Sequence, residues 1–562
     1  MYIARATWPS KDGKKIHQSI WLRESYREGG KVKKRNIANL KNCAPEEILA
    51  IELALKHKNN LKQLEKVLDG QIKKIQGPSV GAVWALKRLA EDIGLIKVLG
   101  KSRQALLCLW LILARLIDQG SRLSAVRLAK DHAAPELLGL DNFSETDLYK
   151  ALDWISDHQD KIEKKLFTHT YGECKPNLFL YDVTSSYLEG DQNELGEWGY
   201  NRDRKRGKKQ VVIGLLTDDD GAPISIQVYK GNTSDINTFA DQIHKTTDQF
   251  GCERVTMVGD RPSPELWPEI RGMIKSGQIE DLKEVGFNYI TAITKAQIRS
   301  MIKRGTFQLE LFDDNICEVE EDGVRYILRR NPTRAMETAK SRAERIAAVK
   351  LLAEEQNQYL AEHKRADPPV AIRKVWDKDS RLETSRFLTI TCPERRITVE
   401  VDEEYLAEAA KLDGCYVIKT DLPKESASMR KIHDRYKDLA DVETVFRTIK
   451  TDHLEVRPIY VRQEKRTRGH AFIVMLAYLI RLKLKEAWRD FDITVEEGLK
   501  QLTTLCAMQN EINGKQAVFL SVPVPRDRLA RLFKALNIDP PETLPRRIAT
   551  VDTKRKLQSG RK

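Results

Sequence analysis

Three acidic residues lie where their carboxylates could do chemistry. Asp182 interrupts the apolar run LFLYDVTSS, where a carboxylate is costly to bury unless it faces a cleft, a metal or a partner. Asp260 ends the strand-like run RVTMVGD, and Glu443 lies in the late helical segment YKDLADVETVFRTIK. Carboxylate oxygens are the ligands that Mg²⁺ prefers, and two such ions about 4 Å apart support in-line phosphoryl transfer. The three residues are therefore candidates for one metal site, although an isolated aspartate is more often a turn or cap residue.

The segment around Glu443 predicts one helix from about Asp434 to Thr451. At about 100° per residue, four polar side chains fall within roughly 60° of one another, beside a stripe of four apolar ones. We expect the apolar stripe to pack and the polar face to present cations to a negatively charged backbone. A solvated pair between Glu443 and Arg447 is the alternative. The polar set is Tyr436, Glu443, Arg447 and Lys450, and the apolar set is Val442, Val445, Phe446 and Ile449.

A basic run, NRDRKRGKKQ, separates the first two strands of the predicted core. We interpret it as a loop that contacts nucleic-acid phosphates, and a merely solvated hairpin is the alternative. Its cations are Arg202, Arg204, Lys205, Arg206, Lys208 and Lys209.

The patterns around these residues predict an α/β core that positions them. NLFLYDVTSSYLEG is typical of a strand, and QVVIGLLTDDDGAPISIQVYKGN of a hairpin that turns at Asp219, Asp220 and Gly221. A helix beginning at Ser234 and the strand ending at Asp260 follow, with FNYITAIT as a candidate fifth strand. Strand ends at one edge of such a sheet are where α/β folds bind their ligands.

The rest of the chain divides into regions of different pattern. We predict a small basic β unit, a helical DNA-binding region, a core in two parts separated by an α+β insertion with one long charged helix, and a helical C-terminal part with a basic tail. The predicted bounds are 1–45 for the β unit and 46–172 for the helical DNA-binding region. They are 173–294 and 431–482 for the core, 295–430 for the insertion and 483–562 for the C-terminal part. Ser144 and Asp147 predict a capping box in the helical region.

Composition narrows the class of protein. The chain has 562 residues, 41% of them hydrophobic, which is enough for roughly three to four domains. Its 96 basic and 82 acidic residues give a net charge of +14, which favours a polyanionic partner. The apolar runs end at Arg115 and Arg481, well short of a membrane span, and no secretory signal is evident at the start. Eight cysteines without a CxxC pair argue against a zinc ribbon or a disulfide scaffold.

Several blocks together resemble a DDE transposase of a bacterial insertion sequence, most of all the insertion-sequence-four-like superfamily. They are LYDVTSSYLEG, QVVIGLLTDDDGAPISIQVYKGNTSD, VTMVGDR, YKDLADVETVFRTIKTDHLEVRPIY and the histidine of RTRGHAFIVMLAYL. The family's signature of tyrosine, arginine, glutamate and lysine matches Tyr436, Glu443 and Lys450, but Leu439 stands at the arginine position. Pro262 also stands where the family often has glycine.

This resemblance implies an RNase H-like catalytic core that cleaves transposon ends and joins them to target DNA. Its acidic triad falls on Asp182, Asp260 and Glu443, which hold two Mg²⁺ ions per site, and Mn²⁺ can substitute. The implied partners are double-stranded DNA and a second copy of the chain in the assembled complex. The implied location is the bacterial cytoplasm, at the nucleoid when the protein is bound to DNA. Two alternatives remain: a nuclease of the same fold without strand transfer, and an inactive DNA-binding descendant of a transposase.

Overall fold

The computed structural model describes residues 1–9, 16–56, 58, 72–199, 202–203, 205, 207–253, 255–259, 274, 276–312, 316–451, 454–457, 459–512 and 515–545. The strands in these segments form sheets of three, eight, two and four strands. The largest sheet carries the residues proposed for chemistry, and helices cover it.

The N-terminal unit, predicted as a small basic β unit, is an antiparallel three-stranded sheet. Its strands are β1 (Tyr2–Pro9), β2 (Ile16–Glu28) and β3 (Lys31–Asn39), in the order β1-β2-β3. Gly29 and Gly30 join β2 to β3 with φ of 58° and 79°, the left-handed backbone that a two-residue hairpin turn requires. Helix α1 (Pro45–Lys56) packs against β1.

A helical region follows, after one strand that the sequence analysis did not predict. That strand is β4 (Ile72–Ser79), which pairs with a strand near the C-terminus. The predicted capping box is confirmed, because Ser144 accepts from the Asp147 amide and Asp147 accepts from the Ser144 amide. The helices are α2 (Gly81–Asp92), α3 (Leu95–Leu99), α4 (Arg103–Ile117), α5 (Arg122–Asp131), α6 (Ala134–Leu138), α7 (Glu145–Asp157) and α8 (Gln159–Tyr171).

The centre of the large sheet has the strands predicted from residues 176 to 294. They lie in the order β7-β6-β5-β8-β9, with β5, β6 and β7 antiparallel and β5, β8 and β9 parallel. The hairpin turn between β6 and β7 is at the predicted position. The elements are β5 (Leu178–Tyr187), β6 (Gln210–Thr217), β7 (Pro223–Lys230), α9 (Asp235–His244), β8 (Thr256–Gly259), α10 (Ser276–Glu284) and β9 (Asn288–Ala292).

The predicted insertion, 295–430, is only partly separate from this sheet. Three of its strands extend the sheet in the order β10-β11-β14-β9, so the boundary at residue 295 does not coincide with a sheet edge. Sequence patterns identify strands but not distant partners, and Ile327 and Ile418 are buried in the same apolar core as Leu180. The elements are α11 (Lys295–Lys303), β10 (Cys317–Glu321), β11 (Val324–Arg330), α12 (Pro332–Glu362), α13 (Pro368–Leu382), β12 (Leu388–Thr391), β13 (Thr398–Val401), α14 (Glu403–Lys411) and β14 (Cys415–Thr420).

The C-terminal part, 483–562, has the predicted helices but also three strands that were not predicted. Three C-terminal strands join β4 in the order β17-β16-β15-β4, so the edge of this sheet comes from the other end of the chain. An Asn513-Gly514 pair between β15 and β16 is a hairpin signal that the sequence analysis missed. The elements are α15 (Met429–Lys437), α16 (Leu439–Lys450), α17 (Glu464–Ala487), α18 (Val495–Leu502), β15 (Cys506–Ile512), β16 (Lys515–Ser521), α19 (Asp527–Ala535) and β17 (Thr543–Pro545).

The two ends of the chain therefore share one framework. The Val80 amide donates to the Leu505 carbonyl at 2.7 Å, and a Cβ on Gly81 would collide with the Leu502 carbonyl. None of the eight cysteines, all of which lie in the described segments, is in a disulfide. Within the described segments, no helix is long and apolar enough to cross a membrane.

Candidate active site

Asp182 lies in β5, at the middle of the large sheet, and is half-buried between buried neighbours. It pairs with Leu215 of β6, and alternation along β5 puts it on the same sheet face as Leu180. Leu180 and Leu215 belong to one apolar core with Val442 and Phe446 of α16. The carboxylate therefore stands on the face of the sheet that the helix of Glu443 covers.

Helix α16 packs against β5 through the predicted apolar stripe. Val442, Val445, Phe446 and Ile449 are all buried, which confirms that part of the prediction. Glu443 projects to solvent with 71% of its side chain exposed, and the Arg447 guanidinium lies 3.2 Å from its carboxylate. The solvent-exposed pair is thus present, and Glu443 remains accessible to a ligand.

Asp260 lies outside the described residues, as do Arg204 and Arg206. The strand that precedes Asp260 is described: Gly259 of β8 pairs in parallel with Tyr181 of β5. In the sequence, Asp182 follows Tyr181 and Asp260 follows Gly259. The described residues contain no group of three His, Cys, Asp or Glu side chains that could hold a metal.

The predicted single helix around Glu443 is two helices. Helix α15 ends at Lys437 and α16 begins at Leu439, with Asp438 between them at φ −61° and ψ −15°. The Asp441 amide donates to the Asp438 carbonyl at 2.8 Å, the tight turn spacing of a 3₁₀ segment. The predicted angle between Tyr436 and Glu443 assumed one unbroken helix, so it does not hold across Asp438. Tyr436, on α15, is half-buried against the main core.

Lys450 does not share the exposed face of Glu443, contrary to the prediction. Its side chain is 9% exposed, and its ammonium lies 3.0 Å from an Asp203 carboxylate oxygen. Arg457 donates to the same oxygen and, through its Nε, to the Lys450 carbonyl at 3.1 Å. Burial lowers the pKa of Lys450, and the Asp203 carboxylate opposes that shift. The sequence analysis overlooked Asp203 because it lies inside the basic run.

The described cations of the basic run make local contacts around β5. Arg202 donates to the Val183 carbonyl at 2.5 Å and to Asp235 at 2.8 Å, so its guanidinium fastens this loop to β5 and α9. Lys208 lies 2.7 Å from Glu189 in an exposed pair. Lys205 is exposed with its ammonium 5.9 Å from the Tyr187 ring centroid, and Lys209 is half-buried.

The β6–β7 turn is a second acidic feature, and the carboxylates of Asp218 and Asp219 are both hydrogen-bonded or paired. Tyr171 donates to Asp218 at 2.6 Å, and the Ala222 amide donates to the same side chain at 2.7 Å. Burial raises the pKa of Asp218, although these hydrogen bonds oppose the shift. Asp219 lies 3.1 Å from Arg435, which ties the turn to α15.

Histidine 433 fixes α15 to the sheet. Its Nε2 lies 2.7 Å from the Tyr416 hydroxyl and 2.8 Å from the Arg329 guanidinium, on β14 and β11. Its Nδ1 lies 3.2 Å from Asp434. Since Arg329 can only donate, Nε2 accepts and Nδ1 carries the proton. The strands of the predicted insertion thus position the helix that precedes Glu443.

Comparisons with known proteins identify the family. The model of the transposase DDE domain matches residues 173–480, more than half of the chain, and the model of the N-terminal domain of the IS1634 family of transposases matches residues 7–67. The chain therefore belongs to the DDE transposase family of insertion sequences, as the sequence blocks predicted.

Two further comparisons add little. No curated protein matches the chain. A solved structure, the cryo-EM structure of a piggyBac transposase synaptic complex with hairpin DNA, is 7% identical with a TM-score of 0.34 and covers 75% of this chain and 76% of its own. A similarity of that size carries no argument about this chain.

Proposed function

We propose that this transposase binds the terminal inverted repeats of its insertion sequence, cleaves the DNA ends and joins them to target DNA. The observation that carries the proposal is the position of Asp182, a half-buried carboxylate on a central strand beneath the helix of Glu443. The chain acts as a homodimer on paired ends, in the bacterial cytoplasm.

An RNase H-like core accounts for the arrangement of strands. Three antiparallel strands, β7-β6-β5, are followed by the parallel strands β8 and β9, and α16 returns to cover β5. Asp182, Asp260 and Glu443 form the acidic triad of this core. Asp260 is included because it follows Gly259, the strand partner of Tyr181.

The donor set suits a hard divalent cation, because all three side chains offer carboxylate oxygens. Two Mg²⁺ ions, or Mn²⁺ in their place, would activate the attacking water or 3′-hydroxyl and stabilise the leaving oxygen. Glu443 and Asp182 belong to elements that pack on each other, and Asp182 is half-buried, so its carboxylate is poorly solvated.

Tyr436 and the surrounding cations position DNA. Tyr436, Arg447, Lys205, Lys208 and Lys209 contact its backbone, together with Arg204 and Arg206. Arg202 and Lys450 act indirectly, because Arg202 is bound to Val183 and Asp235, and Lys450 to Asp203.

The test is cleavage of a duplex carrying the element's end by isosteric variants of the triad. Asp182→Asn, Asp260→Asn and Glu443→Gln should each lower the cleavage rate by at least about a thousandfold, since metal catalysis contributes several kcal/mol. Binding to the end should persist. Asp441→Asn is the matched control, because Asp441 is an exposed carboxylate on the same helix.

Two results would overturn the proposal. Near-normal cleavage by a triad variant would remove that residue from the site, and equal cleavage in EDTA and in Mg²⁺ would exclude the metal chemistry. Joining of a pre-cleaved end to plasmid DNA separates a transposase from a nuclease of the same fold. Binding without metal-dependent cleavage by the unaltered chain would identify the inactive descendant.

A further inference from the structure

The three-stranded N-terminal sheet has two faces of different charge. Side chains alternate along β2, and the register assigns each a partner on β3. One face carries Arg23, Ser25 and Arg27 with their partners Asn36, Lys34 and Val32, and we call it the open face. The other carries Glu24, Tyr26 and Glu28 with Arg35, Lys33 and Lys31, and we call it the α1 face.

The cations of the α1 face are largely neutralised. Arg35 lies 2.6 Å from Glu24, and Lys33 lies 2.7 Å from Glu28. Arg5 of β1, which pairs with Ile20 on this face, reaches Glu52 of α1 at 2.9 Å. Helix α1 therefore lies on this side of the sheet, and the charges here are balanced within the unit.

The open face has cations without matching anions. No carboxylate lies on it among the described residues of the three strands. Arg27 and Lys34 are exposed, and neither has an ion-pair partner within the described segments. They are diagonal neighbours across β2 and β3, where such positions lie about 7 to 8 Å apart. Arg23 donates to Asn36 at 2.7 Å, which leaves its positive charge uncompensated.

Aromatic side chains extend the same face along β1. Tyr2 pairs with Arg23 and is 36% exposed, and Trp8, on the same side by alternation, is 48% exposed. Tyr2 lies beside Arg23, whereas Trp8 lies at the other end of β1, opposite His17. Exposed aromatic rings on a basic face are typical of nucleic-acid interfaces, where the rings contact sugars or bases. A surface that binds anionic vesicles would share this charge, and binding to such vesicles is measured beside binding to DNA.

The shape of the hairpin suits a duplex. Beyond Arg23, where its pairing with β1 ends, β2 continues with β3 as a two-stranded ribbon, and no side chain of β3 is buried. At the Gly29-Gly30 turn, nothing lies within 4 Å of the Cβ positions, so the tip of the ribbon is unobstructed. The major groove of B-DNA, about 12 Å wide, admits a two-stranded ribbon of this kind.

We propose that the open face binds the DNA duplex at the element's ends, with Arg27 and Lys34 on its phosphates. This rests on the proposed function and names the surface that recognises the substrate. Phosphate contacts by these two cations release counterions, so they should contribute directly to the salt dependence of binding.

The experiment measures anisotropy of a labelled duplex carrying the element's end, and of an unrelated duplex of equal length, with the full-length chain. The full chain is needed because β4 pairs with β15. The test variant is Arg27→Gln with Lys34→Gln. Its matched control is Lys33→Gln with Arg35→Gln, which removes the same charge from the α1 face of the same hairpin. Arg27→Lys with Lys34→Arg keeps the charge and should bind as the unaltered chain does.

The open-face pair should weaken end binding at least tenfold and lower the slope of log affinity against log salt by about 1.8, or about 0.9 per phosphate. The control pair removes two charges about 10 Å from the open face, each worth about twofold in affinity before screening, so affinity should change by less than about fourfold. Equal losses in both pairs, or unchanged binding by the open-face pair with normal cleavage by the unaltered chain, would overturn this inference alone. An unaltered chain that neither binds nor cleaves the ends would overturn the proposed function with it. If the open-face pair lost at least tenfold in affinity for vesicles of anionic lipid while its DNA binding was unaffected, the partner of this face would be a membrane surface and not DNA.

Discussion

Strands β5 and β3 both carry residues that we propose to act on DNA: Asp182 as a metal ligand and Lys34 as a phosphate contact. The two strands differ in how deeply their side chains are buried. Every side chain of β5 is buried or half-buried, whereas those of β3 are exposed apart from half-buried Ala38. Asp182 has packed strands on both sides and α16 above it. Arg27 and Lys34 have an open sheet face. Phosphoryl transfer needs carboxylates held in one geometry, while attraction of a polyanion needs only accessible charge.

The difference predicts unequal tolerance to loss of side-chain volume. Phe446→Ala should destabilise the protein by about 3 to 5 kcal/mol, because Phe446 is 5% exposed between α16 and β5. Val32→Ala, at a position 60% exposed on β3, should change stability by less than about 0.5 kcal/mol. Urea unfolding followed by circular dichroism compares the two. Equal effects would mean that the helix of Glu443 is not held by its apolar stripe.

The second prediction concerns a buried and an exposed cation on the same helix. Lys450→Met should cost about 3 kcal/mol, because it removes one of the two cations that lie against Asp203, a carboxylate 2% exposed, among the described ion pairs. Arg447→Gln removes a pair that is about 70% exposed on both sides and should cost less than about 1 kcal/mol.

A salt titration of DNA binding separates the roles of these two cations. Lys450→Met should leave the salt slope unchanged, since the ammonium is paired inside the protein. Arg447→Gln should lower the slope by about 0.9 if its guanidinium meets a phosphate. Adding Asp203→Asn to Lys450→Met should restore part of the stability that Lys450→Met alone loses. A lowered slope for Lys450→Met would return Lys450 to the DNA surface.

The third prediction uses a buried histidine of the core. His470 accepts from Arg122 at 2.6 Å through Nδ1 and donates through Nε2 to the Val456 carbonyl at 3.3 Å. Burial, with Arg122 and Arg115 nearby, holds the pKa of His470 well below its usual value of 6.5. The unfolded chain therefore takes up the proton first. The contribution of neutral His470 to the free energy of unfolding is complete above pH 6.5. It is lost as the pH falls toward the lower folded-state pKa of His470.

Stability should accordingly fall by about 1.4 kcal/mol per pH unit from this group below its unfolded pKa. His470→Gln should reduce that dependence, whereas His363→Gln, at an exposed position, should not. His433, whose pKa burial also lowers, should contribute part of the remaining dependence. Thermal unfolding between pH 5 and 8 measures this pH dependence of stability. Identical pH profiles for His470→Gln and His363→Gln would contradict this account.

Local patterns predicted much of this molecule. The apolar strands β5 to β7, the Asp-rich turn, the capping box at Ser144 and the charged helix α12 all follow from neighbours in sequence. The apolar stripe of α16 also follows, because helical spacing alone decides which residues share a face.

What the sequence did not predict depends on distant partners. Strand β4 pairs with β15, more than 400 residues away, and β11 and β14 join the sheet beyond β9. Lys450 is paired because Asp203, in a run read as basic, lies beside it in the fold. The prediction that Tyr436 shares a helix face with Glu443 was wrong because the turn at Asp438 separates α15 from α16. Charge counting and periodicity do not identify such contacts.

The smallest predicted effect tests whether the two faces of the N-terminal sheet are separate. Glu24→Gln removes a carboxylate from the α1 face, where it pairs with Arg35 at 2.6 Å. Stability should change by less than about 1 kcal/mol, as expected for an exposed pair. End affinity should rise by no more than about twofold, because a unit charge about 10 Å away in water contributes only about 0.4 kcal/mol before screening. A tenfold gain would mean that the α1 face itself contacts DNA, and the assignment of faces would then be reversed.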